Sequence, residues 1–147
     1  MEFKTPKLLI SEDRIQTRVT ELAKQITKDF EGRNIVVISV LKGSFLFLAD
    51  LVRQIDLPCY VEFLDVQSYD GGTQSRGIVK MTKDLTYSIT NMDVLIVEDI
   101  VETGLTLDYL KRNLKTRSPK SVKICVLLDK EHKRKIDVNI DYSGFKI

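Results

Sequence analysis

Two short segments of this chain are apolar at nearly every position, and they limit its folding more than any other feature. Ile35-Val36-Val37-Ile38-Ser39-Val40 is rich in β-branched residues, and Val94-Leu95-Ile96-Val97 repeats the pattern. Runs of this length and composition mark strands covered on both faces, as in a parallel sheet. Around them the period changes. Ile15, Val19, Leu22, Ala23, Ile26 and Phe30 share one helical face, which predicts a helix over 12–30. Ser11 is its expected N-cap, Glu12 and Asp13 suit the first turn, and Gly32 is a stop signal. Further helices are predicted over 45–55 and 105–114, and further strands over 60–66, 122–128 and near 140–147. Strands alternating with helices predict an α/β domain with a mainly parallel sheet flanked by helices. In such sheets ligands bind beyond the carboxyl ends of the strands.

The 147 residues suit one domain, and 43% hydrophobic with 30% charged residues excludes a disordered chain. No apolar run approaches the roughly 18 residues of a membrane span. The start, Met1 to Pro6, lacks the apolar core of a signal peptide, so a cytoplasmic protein without a membrane partner is expected. Cys59 and Cys125 form neither a zinc spacing nor a disulfide framework and are read as inert thiols. A net charge of +2 does not call for nucleic acid. The basic cluster Lys130-Glu131-His132-Lys133-Arg134-Lys135 lacks interleaved aromatics, and most of it reads as a solvated turn. His132, the single histidine, has no motif partner and receives no catalytic role.

Chemistry concentrates where the apolar runs stop. Val97 is followed by Glu98-Asp99-Ile100-Val101-Glu102-Thr103-Gly104-Leu105-Thr106. A Thr-Gly-Leu-Thr turn opening a helix offers N–H groups and hydroxyls to a phosphate dianion. Adjacent carboxylates can hold a hard cation or sugar hydroxyls. Lys42-Gly43, closing the first run, combines charge with a backbone that an anion can approach. Residues 67–77 are polar with three glycines, the composition of a mobile loop.

Val94 to Leu107, VLIVEDIVETGLTL, resembles the phosphoribosyl-pyrophosphate signature of type I phosphoribosyltransferases, and the other segments resemble the hypoxanthine-guanine branch. The resemblance implies that Glu98 and Asp99 bind ribose hydroxyls and Mg2+. It implies that Thr103, Gly104, Leu105 and Thr106 cradle the 5-phosphate, and that Glu102 accepts the N7 proton of the purine. Leu41, Lys42 and Gly43 would contact pyrophosphate, with a Leu41–Lys42 bond that can be cis, and Arg134 would approach the same group. Ser68 and Tyr69 would belong to a flexible loop closing over the site, and Lys130 would recognise the exocyclic oxygen of a 6-oxopurine. The implied partners are phosphoribosyl pyrophosphate and hypoxanthine or guanine, the products IMP or GMP with pyrophosphate, and the assembly a homo-oligomer, dimer or tetramer.

The resemblance runs in order over residues 8–147 and departs from the family twice. The family has aspartate where this chain has Glu102. Relatives continue beyond the position of Ile147 with a stacking aromatic and an aspartate for a second magnesium, so a shortened domain is expected. Two rival readings follow: a phosphoribosyltransferase for another base, and a non-catalytic regulator that senses phosphoribosyl pyrophosphate on the same fold.

Overall fold

The computed structural model describes residues 4–69 and 78–147. Within them run α1 (Glu12–Asp29), β1 (Ile35–Leu41), α2 (Phe45–Gln54), β2 (Cys59–Tyr69), β3 (Ile78–Lys83), β4 (Asp93–Val101), α3 (Leu105–Lys115), β5 (Ser121–Asp129) and β6 (Tyr142–Lys146). The strands form one sheet in the order β3-β2-β1-β4-β5-β6. Neighbours pair in parallel except β2 with β3. This is the mainly parallel, helix-flanked architecture that the alternation predicts.

The two apolar runs owe their composition to helices on both faces. Ile35, Val37, Leu95, Val97 and Cys125 pack against Val19, Leu22 and Ile26 of α1 and Phe47 and Leu51 of α2. Val36, Ile38, Val94, Ile96, Ile124 and Val126 point the other way, onto Leu107, Leu110 and Leu114 of α3. Side chains alternate along a strand, so two covered faces require an apolar residue at every step. α1 begins as expected: the Ser11 hydroxyl accepts from the Arg14 N–H at 3.3 Å.

The structure corrects the reading in two places. Gln67, Ser68 and Tyr69 are strand rather than loop, paired with Lys80, Val79 and Ile78 of β3. β3 itself is not predicted, because an edge strand with an exposed side carries no continuous apolar run. Residues 70–77, the core of the expected mobile loop, lie outside the described residues. The second correction concerns β4, which continues past Val97 and keeps pairing with β5 through Val101 and Asp129. Glu98 and Asp99 therefore sit on a rigid strand end, not in a loop. No helix among the described residues is long and apolar enough to cross a membrane. Both cysteines are free. Burial pushes the Cys125 thiol up to about 12 and raises that of Cys59, as suits unreactive groups.

The β5–β6 edge depends on one glycine. A Cβ on Gly144 would stand 2.3 Å from the Leu127 carbonyl oxygen. Across the outer side of β6, Arg18 Nε donates to the Gly144 carbonyl at 2.8 Å and Nη2 to that of Ser143 at 2.7 Å. Gly144→Ala should lower stability by about 1–3 kcal/mol through overpacking, read as a reduced urea midpoint. An unchanged midpoint would contradict this account of the edge.

Candidate active site at the carboxyl end of the sheet

The turn from β1 into α2 is built from beneath. Ser39 and Ser44 are fully buried, their hydroxyls 2.6 Å apart, and the Ser44 hydroxyl donates to the Val40 carbonyl. Neither serine was singled out from sequence; the available signal was a hydroxyl inside an apolar run. Above them the Leu41–Lys42 peptide bond is cis. A Cβ on Gly43 would lie 2.5 Å from Asp99 Oδ2, so a glycine lets this turn rest directly on the β4 carboxylate. Leu41, Lys42 and Gly43 thus adjoin the acidic strand end.

Glu98 and Asp99 share a small network. The Asp99 N–H donates to Glu98 Oε1 at 3.0 Å, and the Ile100 N–H to Asp99 Oδ1 at 2.8 Å. Burial, with the neighbouring Asp99 carboxyl, pushes the Glu98 pKa up to about 9. Among the described residues no group of three or more His, Cys, Asp or Glu gathers to hold a metal. Two adjacent oxygen donors, one destabilised when ionised, instead suit a magnesium ion that keeps water and substrate phosphate among its ligands. In that mode the residues fit Mg2+.

Beyond Val101 the chain turns into α3. Gly104 takes φ 84° and is the helix N-cap. A Cβ there would stand 2.9 Å from Val138 Cγ1 and 3.0 Å from Arg134 Cδ, so conformation and space both demand glycine. The Thr103 hydroxyl accepts from the Leu105 N–H at 3.3 Å. Glu98, Val101, Glu102, Thr103, Gly104 and Thr106 line a cavity of about 260 Å³, open to the positive end of the α3 dipole. A more apolar cavity of about 360 Å³, at the amino ends of β1 and β2, contains none of the motif residues.

The connection after β5 folds onto this turn. Lys130 N–H donates to the Val101 carbonyl at 3.0 Å, and Lys135 and Ile136 N–H both donate to that of Thr103, at 2.9 and 3.2 Å. Lys130 Nζ meets Glu102 Oε1 at 2.7 Å. That ammonium holds the exposed Glu102 carboxyl below its ordinary range. Arg134 Nη1 donates to the Glu102 carbonyl at 3.1 Å, and Nη2 pairs with the buried Asp129 carboxylate. Asp129 and Val138 were not singled out beforehand. Ser68 and Tyr69 end β2, and the lid expected over 70–77 falls outside the described residues.

Phosphoribosyl transferase domain is the family that matches, over residues 11–147. The chain belongs to this family. It is 46% identical over 141 residues to the hypoxanthine-guanine phosphoribosyltransferase of Staphylococcus aureus (strain Mu50), covering 96% of this chain and 79% of that one. It is 45% identical over 141 residues to the bifunctional protein TilS/HprT of Listeria monocytogenes, covering 96% of this chain and 22% of that one. The chain thus spans about a fifth of the length of that bifunctional relative. The crystal structure of a hypoxanthine-guanine phosphoribosyltransferase from Bacillus anthracis, with HEPES in its active site, superposes with TM-score 0.93 at 47% identity. That match covers 99% of this chain and 86% of that chain.

In this phosphoribosyltransferase domain the raised Glu98 pKa has a measurable consequence. A carboxyl whose folded pKa exceeds its value of 4.5 supports stability below pH 4.5 and loses that support as pH rises toward about 9. Glu98→Gln does not titrate. Without divalent cations its melting temperature should match the parent near pH 5 and exceed it increasingly up to pH 9. Parallel melting profiles across that window would refute the assignment.

Proposed function

We propose that this chain transfers 5-phosphoribosyl from phosphoribosyl pyrophosphate to hypoxanthine or guanine, giving IMP or GMP and pyrophosphate, as its hypoxanthine-guanine relatives are named to do. One observation carries the reading most: the Lys130–Glu102 pair, 2.7 Å long, stands beside the glycine turn that opens α3. A cation for a purine oxygen, a carboxylate for a purine proton and a phosphate cradle are what the transfer needs side by side.

In this reading Thr103, Gly104, Leu105 and Thr106 hold the 5-phosphate through N–H groups, hydroxyls and the helix dipole. Glu98 and Asp99 take ribose hydroxyls and hold Mg2+, which when bound neutralises charge on the pyrophosphate leaving group. Lys42 and Arg134 add positive charge on the same side. The purine N9–C1′ bond forms as the C1′–oxygen bond to pyrophosphate breaks, and Glu102 accepts the proton from N7. When the exocyclic oxygen of a 6-oxopurine draws Lys130 toward itself, Glu102 loses the partner that lowers its pKa. Its proton affinity then rises just as the purine arrives. An adenine, with an amino donor at position 6, offers Lys130 no acceptor there, which favours this reading over a transferase for adenine. A cytoplasmic setting and a homo-oligomer belong to the same proposal.

The rival is a regulator that binds phosphoribosyl pyrophosphate without consuming a base, and Glu102 in place of aspartate keeps it in view. Product formation separates the two. Incubation with hypoxanthine, phosphoribosyl pyrophosphate and Mg2+ should yield IMP; ligand binding without IMP would favour the regulator. Within the enzyme reading, Glu102→Gln should lower kcat by about 10²–10⁴, the usual contribution of a positioned general base. Glu102→Asp should raise kcat by shortening the reach by one methylene. An amide variant as fast as the parent would remove Glu102 as proton acceptor.

A further inference from the structure

We propose that Asp129 is a positioning residue for the transfer: it anchors Arg134, and through it fixes the backbone of Glu102 and the turn presenting Lys130. The inference rests on the functional reading above. Asp129 ends β5 with 3% of its surface exposed. Its side-chain oxygen accepts from Arg134 Nη2, while Nη1 of the same guanidinium donates to the Glu102 carbonyl at 3.1 Å. One planar fork thus joins a buried carboxylate to the main chain of the residue that carries the base. The pair also closes the short 3-10 turn Glu131–Lys133, tightened by N–H bonds from Lys133 to the Lys130 carbonyl and from Arg134 to that of Glu131. Lys130 is the first residue of that enclosed loop. The Arg134 stem lies against Gly104, where a Cβ would be 3.0 Å from Cδ.

Stability alone does not account for a charge here. Buried ion pairs are often matched or bettered by apolar side chains of similar volume. The connection also has independent anchors in the N–H bonds of Lys130, Lys135 and Ile136 to β4 and its turn. What only the Asp129–Arg134 pair supplies is the direction of the guanidinium, hence the placement of Glu102 and Lys130. A misplacement near 1 Å can cost about a hundredfold in rate.

The test uses Asp129→Asn, Arg134→Lys and the double variant in the full chain with Mg2+. Each single variant should lower kcat of its folded fraction by about tenfold to a hundredfold, measured below that variant's own melting transition. The double variant should be no slower than the worse single one, because both act through one contact. A merely structural role would leave kcat of the folded fraction unchanged. Parent-like kcat in folded Asp129→Asn, or kinetic losses that add in the double variant, would overturn the proposal. If Asp129→Asn fails to fold, Asp129→Glu, which keeps the carboxylate but moves it by one methylene, decides by the same criterion. A parent that forms no IMP overturns the functional reading itself, before any variant is compared.

Discussion

Burial of β1 and β4 on both faces is the constraint from which the rest of the molecule follows. With α1 and α2 on one side and α3 on the other, no charged side chain leaves the middle of either central strand, and the one hydroxyl there, on Ser39, is buried against Ser44. Charge is therefore forced to the carboxyl ends, where Lys42 follows β1 and Glu98 and Asp99 close β4. Because β4 keeps its hydrogen bonds to β5 through Val101 and Asp129, the carboxylates emerge on a rigid ladder. Groups on regular elements hold their geometry better than groups on loops.

The same arrangement concentrates unfavourable electrostatics in one place. Glu98 is pressed into a partly apolar recess next to Asp99, and its pKa of about 9 measures the cost of ionising it there. On the other side of the cavity Glu102 faces Lys130 and is shifted the opposite way. Two glutamates four residues apart therefore occupy opposite environments. One favours a proton and the other favours charge.

Much of this was legible in the sequence because it is local. The continuous apolar runs announced two-sided strands, and the Thr-Gly-Leu-Thr turn announced a helix N-terminus after them. Gly104, at φ 84°, needs glycine for its own backbone, and a neighbourhood pattern can show that. What escaped was set by distant partners. β3 exists because it pairs with the far half of β2, and its brief alternation, Val79-Lys80-Met81-Thr82, is too short to stand out without that partner. Gly43 is required by the Asp99 carboxylate, 56 positions away in the chain and visible only in three dimensions. Asp129 is paired with Arg134 across a turn whose shape no spacing rule specifies.

The charged groups at this end of the sheet satisfy one another: Lys130 with Glu102, Arg134 with Asp129 and the Glu102 carbonyl. The two pairs differ in their surroundings. Lys130–Glu102 is partly exposed, so solvent screens it. Asp129–Arg134 is buried, and removing one partner of such a pair leaves an uncompensated charge costing about 3–5 kcal/mol. The first pair is exposed to solvent and the second is enclosed. The two meet at Glu102, whose side chain pairs with Lys130 while its carbonyl accepts from Arg134.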